Sequence, residues 1–160
     1  MPDLIQTMRA RDVNAARLAY CYATIDGQRY LLMMAKNLKA TVKKNKKEVP
    51  ILGQTGVGHK SSGWEGTGSM TIYSVTSMFT RLMKEYKNTG KDVYFDMQVV
   101  NKDSTSASGS QTLLLKDCNI DSAVIAAFDA DGEWLEQDFD FTFEDFEMPQ
   151  EFTELDGVKA

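Results

Sequence analysis

Several stretches of this chain carry residue types that do chemistry. Gly53-Gln54-Thr55-Gly56-Val57-Gly58-His59-Lys60-Ser61 has the glycines, lysine and serine of a phosphate-binding loop. Such a loop needs its lysine directly after its last glycine, so that ammonium and backbone amides converge on the same phosphates. Here His59 intervenes, and more glycines follow where a helix N-terminus would supply aligned donors. Asp129-Ala130-Asp131-Gly132-Glu133 resembles part of a calcium loop, but it lacks the third ligand position and has Asp140 where position 12 needs glutamate. A turn is expected there. The carboxylate pairs Asp138/Asp140 and Glu144/Asp145 could serve acid–base work only if their environments differed. A regular row gives equal environments, so a solvated or lumen-facing face is the better reading. His59 is the single histidine, which argues against a His-rich metal site and against Ser–His–Asp or Cys–His nucleophiles. Cys21 and Cys118 are too few for a disulfide framework and sit in apolar stretches, as reduced core thiols do. The chain is therefore read as not an enzyme, with no catalytic residue, no cofactor and no metal ligand.

The elements that would hold these residues follow from length and pattern. The 160 residues predict one domain, able to bury roughly 70% of its unfolded surface without metal or disulfide staples. Apolar residues at 42% and charged residues at 26% suit a folded domain rather than disorder. No apolar run reaches the ~18 residues that span a bilayer, and residues 1–10 contain no signal core.

Charge is segregated along the chain. Residues 1–60 carry a net +7, residues 61–120 balance, and residues 121–160 carry −12, giving −5 in all. Such poles either neutralise within one subunit or join successive copies head to tail. The run Lys43-Lys44-Asn45-Lys46-Lys47 has no interleaved aromatics for stacking bases, and reads as a solvated loop or a contact for an acidic neighbour.

Residues 1–17 read as an arm, weakly helical over Asp3–Arg11. Leu18–Ile25 and Gln28–Met34 read as strands joined by the hairpin signal Asp26-Gly27. A third strand spans Leu38–Val42. The segment Gly53–Gly68 holds Gly53, Gly56, Gly58, Gly63, Gly66 and Gly68. It is too long for a structureless loop in a compact domain and so reads as functional. Phe79, Leu82, Met83 and Tyr86 form one helical stripe after Thr76-Ser77 and before Gly90. Further strands are expected over Ser69–Tyr73, Val93–Val100, Thr112–Phe128 and Trp134–Phe143, with a polar loop over 101–110. In the last strand Phe139, Phe141 and Phe143 alternate with polar residues, one face to the core, and Pro149 follows as its stop. The expectation is an antiparallel β domain of seven or eight strands with one packed helix.

In the order and spacing of Asn45-Lys46-Lys47-Glu48-Val49, Gly53, Gly58-His59-Lys60, Gly63, Gly66-Thr67-Gly68 and Tyr73-Ser74-Val75-Thr76-Ser77-Met78-Phe79, the chain resembles the tail tube proteins of contractile phage tails, and above all those of PBSX-type prophages. Phe141-Thr142-Phe143-Glu144-Asp145-Phe146 before Pro149 is similar to that family's closing strand. The resemblance covers about Arg9–Phe152. It implies a small β-barrel or sandwich with a flanking helix, related to type VI secretion tube subunits. It also implies hexameric rings joined by long hairpins and stacked into a rigid inner tube, a conduit for DNA ejection. Residues 1–160 would be one tail tube domain, with an arm at 1–17, a Gly-rich inter-subunit loop at 43–68 and a tail at 153–160. Expected contact residues between subunits are Lys43, Lys44, Lys46, Lys47, Gly53, Gly58, His59, Lys60, Gly63, Trp64, Gly66 and Gly68. Implied partners are further copies of itself, the tail sheath protein, the tape measure protein, the baseplate or tail initiator and the tail terminator. DNA would only pass through the lumen, and no membrane anchoring is expected. The implied location is the virion, after synthesis in the bacterial host cytoplasm. A monomeric β-sandwich binding module is the alternative reading.

Overall fold

The computed structural model describes residues 7–155. Among them are eight strands and one α-helix in a mainly antiparallel β fold: β1 (Ala19–Ile25), β2 (Gln28–Leu31), β3 (Ala35–Pro50), β4 (Val57–Tyr73), α1 (Met78–Thr89), β5 (Phe95–Lys102), β6 (Ser110–Ala123), β7 (Glu136–Phe143) and β8 (Asp145–Gln150). They gather into two compact units, one of residues 7–33, 95–116 and 146–155, the other of residues 34–94 and 117–145.

In the first unit, β1 turns through Asp26-Gly27, both at positive φ, into β2. The pairing Ile25↔Gln28 leaves those two residues as the loop, the tight turn whose twist matches the strands. β2 is shorter than the expected Gln28–Met34. β1 also pairs β5, with Cys21 opposite Val99 and Ala23 opposite Met97. Cys21, Ala23, Ile25, Phe95, Met97 and Leu115 are buried. Loss of water pushes the Cys21 thiol up to about 12, so the thiolate that does nucleophilic chemistry is suppressed.

The expected helix over Asp3–Arg11 is a single 3-10 turn at Ala10–Asp12; residues 3–6 lie outside the described residues. The segment after it is pinned to the loop 103–109. Asp103 accepts hydrogen bonds from the Thr105 hydroxyl (2.6 Å), the Thr105 N–H (2.9 Å) and the Ala15 N–H (3.0 Å). The Thr105 hydroxyl foremost, then the two backbone donors, hold its carboxyl below the usual carboxylate range, because each bond favours the charged form.

The second unit holds the helix and, with residues 117–123 of β6, the order β6-β7-β4-β3. α1 ends on Gly90, which takes the left-handed conformation and donates its N–H to Tyr86, as a helix stop does. The Met78 N–H is met by the Thr76 hydroxyl at 3.3 Å, and Ser77 makes no side-chain cap. Of the expected stripe, Phe79 is buried and stacks on Phe139 at 4.4 Å between ring centres. Leu82 and Met83 are half-buried and Tyr86 is exposed. Phe139, Phe141 and Phe143 are buried together, as the alternation requires.

Three expectations need correction. The strand read over Thr112–Phe128 stops at Ala123; a register shift between Ile120 and Ser122 breaks the alternation before that end, with pairing resumed at Ser122 and Ala123, and Val124 and Phe128 are exposed. Pro149 does not end the last strand; it lies inside β8, which pairs only with β6 and so tolerates a missing N–H. The lysine run and most of the glycine segment are not a loop either. Residues 43–50 belong to β3 and 57–68 to β4, leaving only 51–56 as the turn. Cross-strand pairing overrides the poor strand propensity of glycine and lysine.

Candidate subunit-contact site

The site is the β3–β4 hairpin. Its base is part of the core of the second unit, where β4 pairs β7 from Gly66↔Phe143 to Tyr73↔Glu136. Two glycines make this possible. A Cβ on Gly66 would fall within 3.0 Å of the Phe143 ring, and one on Gly68 within 3.0 Å of the Phe141 ring. The rings lie flat over bare backbone. Gly66 and Gly68 therefore have a role inside the subunit, and Trp64 leans on Phe143 at 6.4 Å.

Beyond Gly66 the hairpin leaves β7 behind. β3 and β4 continue to pair with each other from Lys43↔Glu65 to Pro50↔Val57. At ~3.4 Å per residue this arm is roughly 25 Å long. Among the described residues the outer edge of β3, and the β7-side edge of β4 over 57–63, pair with no strand. Unpaired edges of this length invite another chain. A bulge lies between Asn45 and Lys46, where Gly63 adopts φ 147° and the Ser62 hydroxyl bonds the Asn45 carbonyl at 3.1 Å. Such a bulge twists the arm.

The structure places Lys43, Lys44, Lys46, Lys47, His59 and Lys60 on this arm, all exposed. Lys43 stands opposite Glu65, His59 opposite Glu48, and Lys47 opposite Lys60. None of these lysines joins an ion pair among the described residues, where Lys36–Glu136, Lys91–Glu85 and Lys116–Glu147 do pair. Gly53 lies in the tip turn at positive φ, and Gly58 abuts Ile51. The backbone from Gly58 to Ser61 runs as strand, so its amides serve the ladder instead of cradling a phosphate. Sequence reasoning missed Ile51 and Leu52 at the tip, the latter fully exposed. Two aliphatic residues beside a turn glycine were the available signal.

The other motifs resolve locally. Asp129 accepts the Asp131 N–H on its carboxylate at 3.0 Å and the Gly132 N–H on its carbonyl at 3.1 Å, a turn held by its own side chain. Asp138 accepts from the Thr71 hydroxyl at 2.7 Å and Asp140 from the Ser122 hydroxyl at 3.1 Å. They share a polar face with Lys39, Thr41, Thr67 and Ser69. Both free cysteines are buried, and among the described residues no three His, Cys, Asp or Glu side chains converge on a metal site.

A chain with a mainly β fold and a projecting two-stranded arm is suited to assembly. Residues 6–150 match the family described as phage tail tube protein. The chain belongs to the phage tail tube protein family. It is 46% identical over 119 residues, 74% of its own length and 81% of the relative's, to the phage-like element PBSX protein XkdM of Bacillus subtilis (strain 168). In fold it is similar to a chain in the tube-terminating cap of the anti-feeding prophage, with a TM-score of 0.66 at 8% identity, covering 94% of this chain and 99% of that one. It is likewise similar to a chain in the extended sheath–tube complex of an extracellular contractile injection system, with a TM-score of 0.58 at 10% identity, covering 82% and 88%. This tail tube protein is thus a structural protein of a phage tail tube and not an enzyme.

Proposed function

We propose that this tail tube protein forms hexameric rings that stack into the rigid inner tube of a contractile phage tail or phage-tail-like particle, and that the tube is the conduit for ejected DNA. Residues 1–160 act as one tail tube domain in that assembly. The observation that carries the reading is the β3–β4 arm, which extends past β7 with the outer edge of β3, and that of β4 over 57–63, unpaired and every residue from Thr41 to Val57 exposed. An isolated subunit would expose these edges to aggregation; a ring of copies pairs them.

In this reading the tube is made in the bacterial host cytoplasm and works in the virion. The sheath surrounds it, a baseplate initiator and a terminator close its ends, the tape measure protein occupies it during assembly, and DNA passes without being held. The row Asp138 and Asp140, set on a lumen, would repel phosphates, and that suits passage because attraction repeated at every ring would retain the DNA.

Electron microscopy of the concentrated chain, with and without its own baseplate, tests the proposal. Six-fold rings or tubes are expected. Strict monomers under both conditions would overturn it.

A further inference from the structure

The second unit carries apolar side chains that its own core leaves uncovered. On the segment 124–135 between β6 and β7, Ile125, Phe128, Trp134 and Leu135 are 69%, 94%, 66% and 53% exposed, and Val75 beside them is 73% exposed. Of these, Val75, Ile125, Phe128 and Leu135 border, together with the start of α1, a hollow of about 550 Å³. Single exposed apolar residues are ordinary, but a cluster on one segment marks an interaction surface. The same segment holds the carboxylates Asp129, Asp131 and Glu133. The arm tip has matching apolar character and the opposite charge: Ile51 and Leu52, 44% and 102% exposed, lie between Lys46, Lys47 and Lys60.

Strand direction fixes how these two features can meet. β7 begins at Glu136, directly after the acidic segment, and the arm projects past its other end at Phe143. Donor and acceptor therefore lie at opposite ends of the same unit, separated by the length of β7 plus the arm. A subunit cannot insert its tip into its own hollow. The contact between two copies is head to tail, the type that propagates into a filament when it does not close on itself.

We propose that the Ile51–Leu52 tip of one copy seats in the 124–135 hollow of a second copy, with Lys46, Lys47 and Lys60 facing Asp129, Asp131 and Glu133. This rests on the tube reading and names the receptor for its arm. The apolar contact supplies the affinity, and the flanking charges set which end meets which.

The double variant Leu52→Cys/Ile125→Cys, treated with a short bismaleimide, tests it. Cys21 and Cys118 are buried, so the new thiols are the ones that react. A ladder of cross-linked chains is expected from the double variant and no ladder from either single variant. In parallel, Leu52→Asp and Phe128→Asp should each fold as the parent does, since both positions are exposed, yet raise the concentration needed for polymerisation at least about tenfold. Tubes seen by electron microscopy without a cross-linked ladder, or Asp variants that polymerise like the parent, would overturn the docking and leave the tube reading intact. A parent chain that never assembles would overturn both.

Discussion

Phe141 shows what a single residue decides here. Its ring is 1% exposed and lies on the bare backbone of Gly68, with Phe139 6.3 Å away and that ring stacked on Phe79 of the helix. The alternation Phe139, Phe141, Phe143 was legible because a period of two with aromatic residues on one face has few other readings. Its partners were not legible. Nothing in Gly66-Thr67-Gly68 says that two aromatic rings occupy the space where side chains would stand, since that depends on which strand pairs with β4. Phe141→Ala removes the ring from a site where the surrounding sheet cannot collapse, because the opposing position has no side chain to move. A loss of about 3–5 kcal/mol in unfolding free energy is expected, read by denaturant titration. A loss below about 1 kcal/mol would mean that the glycine strand closes up into the vacated space.

At the scale of elements, pattern and pairing disagree most in the hairpin. Lysines and glycines weaken strand propensity, and the run from Lys43 to Gly68 therefore reads as a loop. The partner strand overrides this: eight pairings beyond Gly66 keep the arm extended. Residues 124–128 fail in the opposite direction. Their β-favouring types suggest strand, but the ladder with β7, resumed after the shift at Asp121, ends at Ala123. Within the polar loop expected over 101–110, Asp103 makes residues 103–109 a clamp on residues 12–15. The sign of its acid dependence follows from its hydrogen bonds. Its carboxyl is held below the ordinary value of 3.8, so the clamp contributes in full above that pH. The contribution is lost as pH falls through the lower native value. Hydrogen exchange at the amides of Ala15 and Thr105 should accelerate selectively below about pH 3.8, and Asp103→Asn should show faster exchange at neutral pH. Protection that persists unchanged in strong acid would assign the clamp to the neighbouring Asn14–Ser108 bond (2.9 Å).

For the whole molecule, the charge segregation read from the sequence acquires a direction in space. The basic run sits on an arm that leaves one end of the second unit, and acidic residues cluster on the segment at the other end of β7. Within a subunit the poles do not neutralise each other at these places: Lys43, Lys44, Lys46 and Lys47 are in none of the ion pairs among the described residues. A copy that offers positive charge at one end and negative charge at the other is biased toward one polarity of stacking. Each exposed pair contributes only ~0–1 kcal/mol, but every subunit of a tube repeats it, and like charges brought together by a reversed copy are penalised. Replacing the four lysines by glutamate should leave the fold intact, since the buried part of β4 begins only at Gly66 and none of the four touches the core. Circular dichroism and the unfolding midpoint should stay close to the parent's. Assembly should fail at low salt, where unscreened repulsion between the altered arm and the acidic segment is strongest. It should recover in part as ionic strength rises and the Debye length shrinks from ~30 Å at 0.01 M to ~3 Å at 1 M. The parent should show the reverse trend, weakening with added sodium chloride. Light scattering across a salt series reads both curves. Parallel curves for parent and variant would mean that the arm acts through its backbone edges and its apolar tip alone, with the lysines serving only solubility.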